Sequence, residues 1–213
     1  MVTRPLRLRG GSEGIRVSAL RQAIVSDIEN LPPPDFIAKH LFDRCPYVFK
    51  DDRDSFVSWK NKLSAGLEVD SASITIIGSS SLGISLNPHK SFKHFDQNSD
   101  VDVAVVSTFH FQSAWRYLRN NGKIRHKLNR KQRTSWEEHE KGKVFWGMIA
   151  TDVLISLMPF GPAWVKALSD ASQDPLIGGR LVNVRLYNDY ESLRSYQTHG
   201  VQGLRQKILG GIE

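Results

Sequence analysis

Apolar residues recur along this chain with two periods, and the switches between them mark its elements. Ile15, Leu20, Ile24 and Ile28 keep helical spacing, so a helix is expected over residues 15–30. Pro32-Pro33-Pro34 ends it and reads as a stiff, extended connector. Asp35 is placed to cap a short helix through Leu41, and a longer helix starts at Asp54 or Ser55, carrying Phe56, Val57, Leu63 and Leu67 with Trp59 beside them. The period then changes. Ile74 to Ile77 is a β-branched run that stops at Gly78, and Asp100 to Val105 alternates with period two. Phe111 to Leu118 returns to helical spacing, with Trp115 and Leu118 on its apolar face. Phe145 to Leu157 is strongly apolar, and Ile149 to Leu157 within it reads as a buried strand. Ala163 to Ala171 suits a short helix with Trp164 and Leu168, and Gly178-Gly179 marks a turn. Leu181 to Tyr187 alternates as a final strand, and Asp189 to Leu209 reads as a helix weakened by Gly200 and Gly203. The fold class is α/β (α+β), a mixed sheet of about four to five strands flanked by helices.

Two of these elements carry the candidate chemistry. In an alternating strand, Asp100 and Asp102 project from one face while Val101, Val103 and Val105 project from the other. Paired carboxylates repel, and a divalent cation relieves that repulsion. Gly78-Ser79 follows the first strand directly, where a glycine lets backbone approach a ligand and consecutive amides can cradle phosphate. The bland alternative is a buried strand after an Asx-rich turn.

Gly78-Ser79, Gly83 and Ser99-Asp100-Val101-Asp102 resemble the signature of the nucleotidyltransferase superfamily that includes DNA polymerase β, in the GSxxxG…SDxD form of the minimal nucleotidyltransferases and oligonucleotide-synthase-like enzymes. The gap between the two halves is longer than the family's usual spacing. Residues 87–98, with Pro88 and the basic residues His89, Lys90, Lys93 and His94, read as a loop insertion at the mouth of the site. The resemblance implies a compact unit with a helical extension over residues 1–54 and a catalytic domain over 55–213. It implies Gly78, Ser79, Ser80, Gly83 and Ser99 as nucleotide-binding residues, and Asp100 and Asp102 as catalytic ligands of Mg²⁺ or Mn²⁺. It also implies a third carboxylate on a following strand. Asp152 is the one acidic residue in the apolar stretch 149–157, so it takes that role if its strand lies beside the Asp100 strand. The implied reaction moves a nucleoside monophosphate from an NTP such as ATP to an acceptor hydroxyl. Relatives of this size act on transfer RNA ends, adenylylate protein partners as in toxin–antitoxin or phage-defence systems, or make oligonucleotide signals.

Charge sharpens the choice of acceptor. The chain has 213 residues, 40% hydrophobic and 24% charged, with a formal net charge of +7. That surplus favours a polyanion. Much of it lies in one tract: Arg116, Arg119, Lys123, Arg125, Lys127, Arg130, Lys131 and Arg133, interleaved with Trp115, Tyr117 and Trp136. Cations with aromatics suit phosphate contact and base stacking, which points to RNA. The alternative is a solvated face balanced by Glu137, Glu138 and Glu140. His139 among those glutamates has no second ligand at helical spacing and is expected to face solvent. The one cysteine, Cys45, excludes an intramolecular disulfide, fits a reducing cytosol and reads as an inert thiol. No stretch resembles a signal peptide or approaches the roughly 20 apolar residues of a membrane span, so a cytoplasmic location is expected. A basic, glycine-bearing start, residues 1–14, is expected to be mobile. A second reading stays open: a binding or regulatory module that holds a nucleotide or nucleic acid without turning it over.

Overall fold

The computed structural model of the chain describes residues 10–210. It is a mixed α+β protein. Its helices are α1 (Gly10–Asn30), α2 (Pro33–Ile37), α3 (Arg53–Leu67), α4 (Gly78–Leu82), α5 (Thr108–Asn120), α6 (Arg130–Glu138), α7 (Gly161–Gln173) and α8 (Tyr190–Leu209). The strands are β1 (Ile74–Ile77), β2 (Val101–Val106), β3 (Met148–Ala150) and β4 (Val182–Tyr187), in sheet order β1-β2-β4-β3. β2 runs parallel to β4 and antiparallel to β1, and β3 pairs antiparallel with β4.

The alternation in β2 and β4 fixes which residues face which layer. Val101, Val103, Val105, Val182, Val184 and Leu186 join one buried cluster with Trp59, Leu63, Trp164, Ala167, Phe111 and Leu118, so α3, α5 and α7 cover that face. Ala104 and Tyr187 join a second cluster with Ile24, Ile28, Phe36, Ile37, Leu193 and Leu204, so α1, α2 and α8 cover the other. A slip of one residue in β2 would turn its buried valines outward, each worth about 1.5–3 kcal/mol of burial, and drive Asp102 inward. The register is therefore strongly determined.

Helix starts follow local chemistry. The Asp52 carboxylate accepts from the Ser55 amide at 3.0 Å, the Ser107 hydroxyl accepts from the His110 amide at 3.3 Å, and the Asp189 carboxylate accepts from the Ser192 amide at 2.7 Å. Asn129 and Gln132 form a reciprocal capping box on α6.

Several expectations are corrected. Residues 1–9 of the supposedly mobile start lie outside the described residues, and Gly10 to Gly14 belong to α1. Of the three prolines only Pro32 is extended. Pro33 and Pro34 open α2, where a proline costs no hydrogen bond because first-turn amides have no intrahelical partner. The strand expected over 149–157 is only Met148–Ala150. The chain turns at Thr151, whose hydroxyl donates to the Val184 carbonyl at 2.8 Å and whose carbonyl accepts from Leu154 and Ile155. No helix among the described residues is long and apolar enough to cross a membrane.

Candidate functional site

Ile77, the last residue of β1, pairs with Asp102 of β2, so Gly78 emerges beside the Asp102 side chain. Gly78 has φ +64°, and a Cβ there would stand 3.2 Å from Asp102 Oδ2. The turn needs glycine for its backbone angle and for the room it leaves over the carboxylate. Ser80 ties the two strands together. Its buried hydroxyl donates to the Ile77 carbonyl at 2.8 Å and accepts from the Asp102 amide at 3.2 Å.

Asp102 lies on the sheet face that α1, α2 and α8 cover, opposite Asn183 of β4. Burial pushes its carboxyl above the ordinary carboxylate range, and the negative charges of Asp100 and Asp152 push the same way. Arg185 and Lys90 oppose them. Asp100, exposed just before β2, accepts a hydrogen bond from Asn183 Nδ2 at 3.2 Å. Asp152 is exposed in the turn after β3. β4 separates β3 from β2, so the expected direct pairing of the Asp152 strand with the Asp100 strand does not occur. Asp152 instead acts on Asp102 through space. Among the described residues, no three acidic, histidine or cysteine side chains stand together as a metal-ligand group. Asp100 with its Asn183 partner, and Asp102 in register beside Asn183, are hard oxygen-bearing groups of the kind that suits Mg²⁺.

The other expected nucleotide contacts separate into two kinds. Ser79 is half-buried beside Gly78. Gly83, by contrast, is packed: its φ is +85°, and a Cβ would meet Tyr47 at 2.6 Å and Leu20 at 2.7 Å. It ends α4 and receives the Phe95 amide on its carbonyl at 2.8 Å, so its role is to let helix and loop close on one another. Ser99 is engaged within its own turn, donating to Asp96 Oδ1 and accepting from the Asp96 amide, both at 3.0 Å. Ser80, Gly83 and Ser99 thus hold the frame of the site and have their polar groups or space committed there.

The long loop is anchored at its second half. Ile84 bridges His94, Tyr47 Oη lies 3.0 Å from His94 Nε2, and Phe95 is buried under the Arg180 guanidinium at 5.0 Å. Arg180 also donates to the Asp96 carbonyl at 3.3 Å and to Gln97 Oε1 at 3.2 Å. The first half projects as a single turn over Pro88–Lys90, whose Lys90 charge reaches Asp102.

The basic tract spans α5, the turn Gly122–Lys127 and α6, with Arg116, Arg119, Lys123, Lys127, Arg130, Lys131 and Arg133 exposed; the Arg125 side chain lies outside the described residues. Two corrections follow. Trp136 is buried in the cluster under α5 and α7 and offers no ring to a base. Trp115 is half-buried with the Arg119 guanidinium 4.5 Å over its ring. Moreover, α5 packs on the valine face of the sheet, while Asp102 sits on the other. His139 is likewise not at the surface. Its Nδ1–H donates to the Ser135 carbonyl at 2.5 Å and its Nε2 accepts from the Ala150 amide at 2.9 Å, and burial holds its pKa below the ordinary histidine value. It fastens the end of β3 just before Asp152. Cys45 is half-buried, and burial raises its thiol pKa.

Three participants escaped the sequence reading: Asn183, Arg185 and Lys90. The alternation of Leu181 to Tyr187 put Asn183 and Arg185 on one face, but only the parallel pairing with β2 brings that face to Asp102. Set against protein-family models, curated proteins and solved structures, the chain matches none of them.

Proposed function

We propose that the protein is a Mg²⁺-dependent nucleotidyltransferase, moving a nucleoside monophosphate from an NTP to an acceptor hydroxyl, with RNA as the acceptor. One observation carries the reading. Gly78, at φ +64°, brings bare backbone against the half-covered Asp102 carboxylate, where a side chain would stand 3.2 Å from Oδ2, and Asp100 and Asp152 add negative charge nearby. A positive-φ glycine followed by a serine, set beside one half-covered and one exposed carboxylate, suits a triphosphate that arrives with its cation.

Asp100 and Asp102 would hold the metal, which when bound supplies charge neutralisation for the triphosphate and polarises the α-phosphate. The chain's own residues do the rest. Asn183 donates to Asp100 Oδ2 and so orients that carboxylate. Lys90 and Arg185 bring positive charge toward the same carboxylate and toward the phosphates beside it. Asp152, exposed at the rim, takes the proton of the attacking hydroxyl. The acceptor oxygen forms a bond to the α-phosphorus as the bond to pyrophosphate breaks.

Incubation with each labelled triphosphate, Mg²⁺ and total RNA tests this. Label in RNA, absent from Asp102→Asn, is expected; label in protein or in a small product would replace RNA as the acceptor.

A second reading has its own observation. Directly across from Asp102 stands Asn183, an amide rather than an acid, and no complete three-acid ligand group forms among the described residues. That favours a module that binds nucleotide without turnover. Calorimetry separates the two: nucleotide affinity independent of Mg²⁺, with no pyrophosphate released, belongs to the binder.

A further inference from the structure

A large cavity lies beside the loop insertion rather than over the carboxylates. It encloses about 970 Å³ between α1, the loop and the last turns of α8. Among the described residues, Arg21, His89 and Lys207 face it with one acid, Glu29, and Phe92 and Leu204 supply apolar wall. The Arg21 guanidinium lies 5.2 Å over the Phe92 ring. Ser91 and Phe92 both take left-handed backbone angles, φ 43° and φ 55°, which non-glycine residues adopt at a cost. Since Phe95 and Arg180 anchor the loop behind them, that cost goes into presenting Phe92 to the cavity.

The projecting turn Pro88–Lys90 borders this space. His89 and Ser91 line the cavity, while the charge of Lys90 between them bears on Asp102. Arg21 and Lys207 line the cavity as separate cations, with the Phe92 ring between the loop and α1. Lys90 adjoins the cavity-lining His89 and Ser91, so a ligand that fills the cavity and also reaches Asp102 past Lys90 is a chain. The cavity lies against α1 and α8, the layer that covers the carboxylate face of the sheet, whereas α5 of the basic tract lies on the opposite face.

We infer that this cavity is the track of the acceptor strand: a single-stranded RNA end, with phosphates on Arg21 and Lys207, a base against Arg21 and Phe92, and its terminal hydroxyl led over Lys90 to Asp102. The inference rests on the nucleotidyl-transfer reading for the last step, but not for strand binding itself. Cationic grooves with stacking groups bind single strands in this way.

The test compares two charge reversals of equal size. Arg21→Glu with Lys207→Glu changes the cavity; Lys127→Glu with Arg130→Glu changes the tract. All four residues are exposed, and circular dichroism checks folding. Binding of a fluorescent RNA of about 12 nucleotides is followed by anisotropy at several salt concentrations. The cavity variant is expected to weaken binding roughly tenfold and to lower the salt slope by about 1.4, about 0.7 per phosphate contact. MgATP affinity stays unchanged. RNA affinity unaltered in the cavity variant, or a larger loss in the tract variant, overturns the inference. Loss of MgATP affinity with RNA binding intact also overturns it, by making the cavity a donor pocket. If the wild-type protein transfers no nucleotide yet its RNA binding responds to the cavity reversal, the transfer reading fails and the strand track stands.

Discussion

On one face of the sheet β2 and β4 present only aliphatic side chains, Val101, Val103, Val105, Val182, Val184 and Leu186, sealed by the tryptophans of α3 and α7. On the other face the same strands present Asp102 beside Asn183 at one end, then Ala104 beside Arg185, and Tyr187 beside Val106 farther along. The first face is closed by packing and has nothing to react with. The second is closed over most of its length by α1, α2 and α8, but at the β1–β2 end a glycine turn replaces side chains and leaves a carboxylate half-covered. The difference teaches that stability and candidate chemistry share two strands yet draw on opposite residues of each. Substitution should therefore separate them.

The sharpest break is at the carboxylates. Asp102→Asn should abolish transfer, by roughly a thousandfold or more if charge at the reacting phosphate is the dominant aid. The same change should stabilise the fold. Asp102 has its folded carboxyl raised by burial, so stability falls as pH rises above the unfolded value near 3.8 and through the folded one. A neutral amide removes that loss, and Tm at pH 7 should rise, at about 2–4 °C per kcal/mol for a chain of this size. A lower Tm with activity retained would erase the contrast between the faces.

The opposite substitution is Trp164→Ala. Trp164 is buried on the valine face, and its indole N–H donates to the Leu67 carbonyl at 3.1 Å, joining α7 to α3. Loss of the ring should cost about 3–5 kcal/mol in urea unfolding. Per folded molecule, triphosphate affinity should not change, because Trp164 packs on the valine face and Asp102 lies on the other.

The two positive-φ glycines of one turn refine the comparison. Gly83→Ala drives a methyl into Tyr47 and Leu20 and should cost about 1–3 kcal/mol. Gly78→Ala meets only the Asp102 carboxylate at 3.2 Å, so its backbone strain should cost about 1 kcal/mol while triphosphate binding, read by calorimetry, falls more steeply.

A smaller effect comes from pH. His139 is held neutral by burial and accepts the Ala150 amide, so its folded pKa lies below the unfolded 6.5. Stability is then highest above 6.5 and declines as pH falls from there toward the folded value. His139→Gln, with an amide oxygen in place of Nε2, should flatten that decline between pH 7 and 5 in thermal melts. His40 and His110, also depressed by burial, supply the remaining slope. The smallest expected effect is from Lys127→Glu with Arg130→Glu, about twofold in RNA affinity, since that tract lies beside the valine face.

Local pattern was sufficient for those parts that depend on neighbours along the chain. Period two in Asp100–Val105 and Leu181–Tyr187 set β2 and β4 and sent the valines one way and Asp102 the other. Helical spacing with Asp189 set α8, and Gly78 after a β-branched run set the turn. Only the tertiary structure decided which strand lies beside which. Nothing local to VNVRLY says that it pairs with β2, so Asn183 and Arg185 could not be assigned to Asp102, and the apolar run after Met148 could not be seen to end at Thr151, where a Val184 carbonyl captures the hydroxyl. The same holds for Trp136 and His139, which sit in a charged, polar stretch and are buried because one joins the valine-face cluster and the other is held against β3 by the Ala150 amide. Hydrophobic periodicity records which side of an element is covered; what covers it is settled by contacts between residues far apart in the chain.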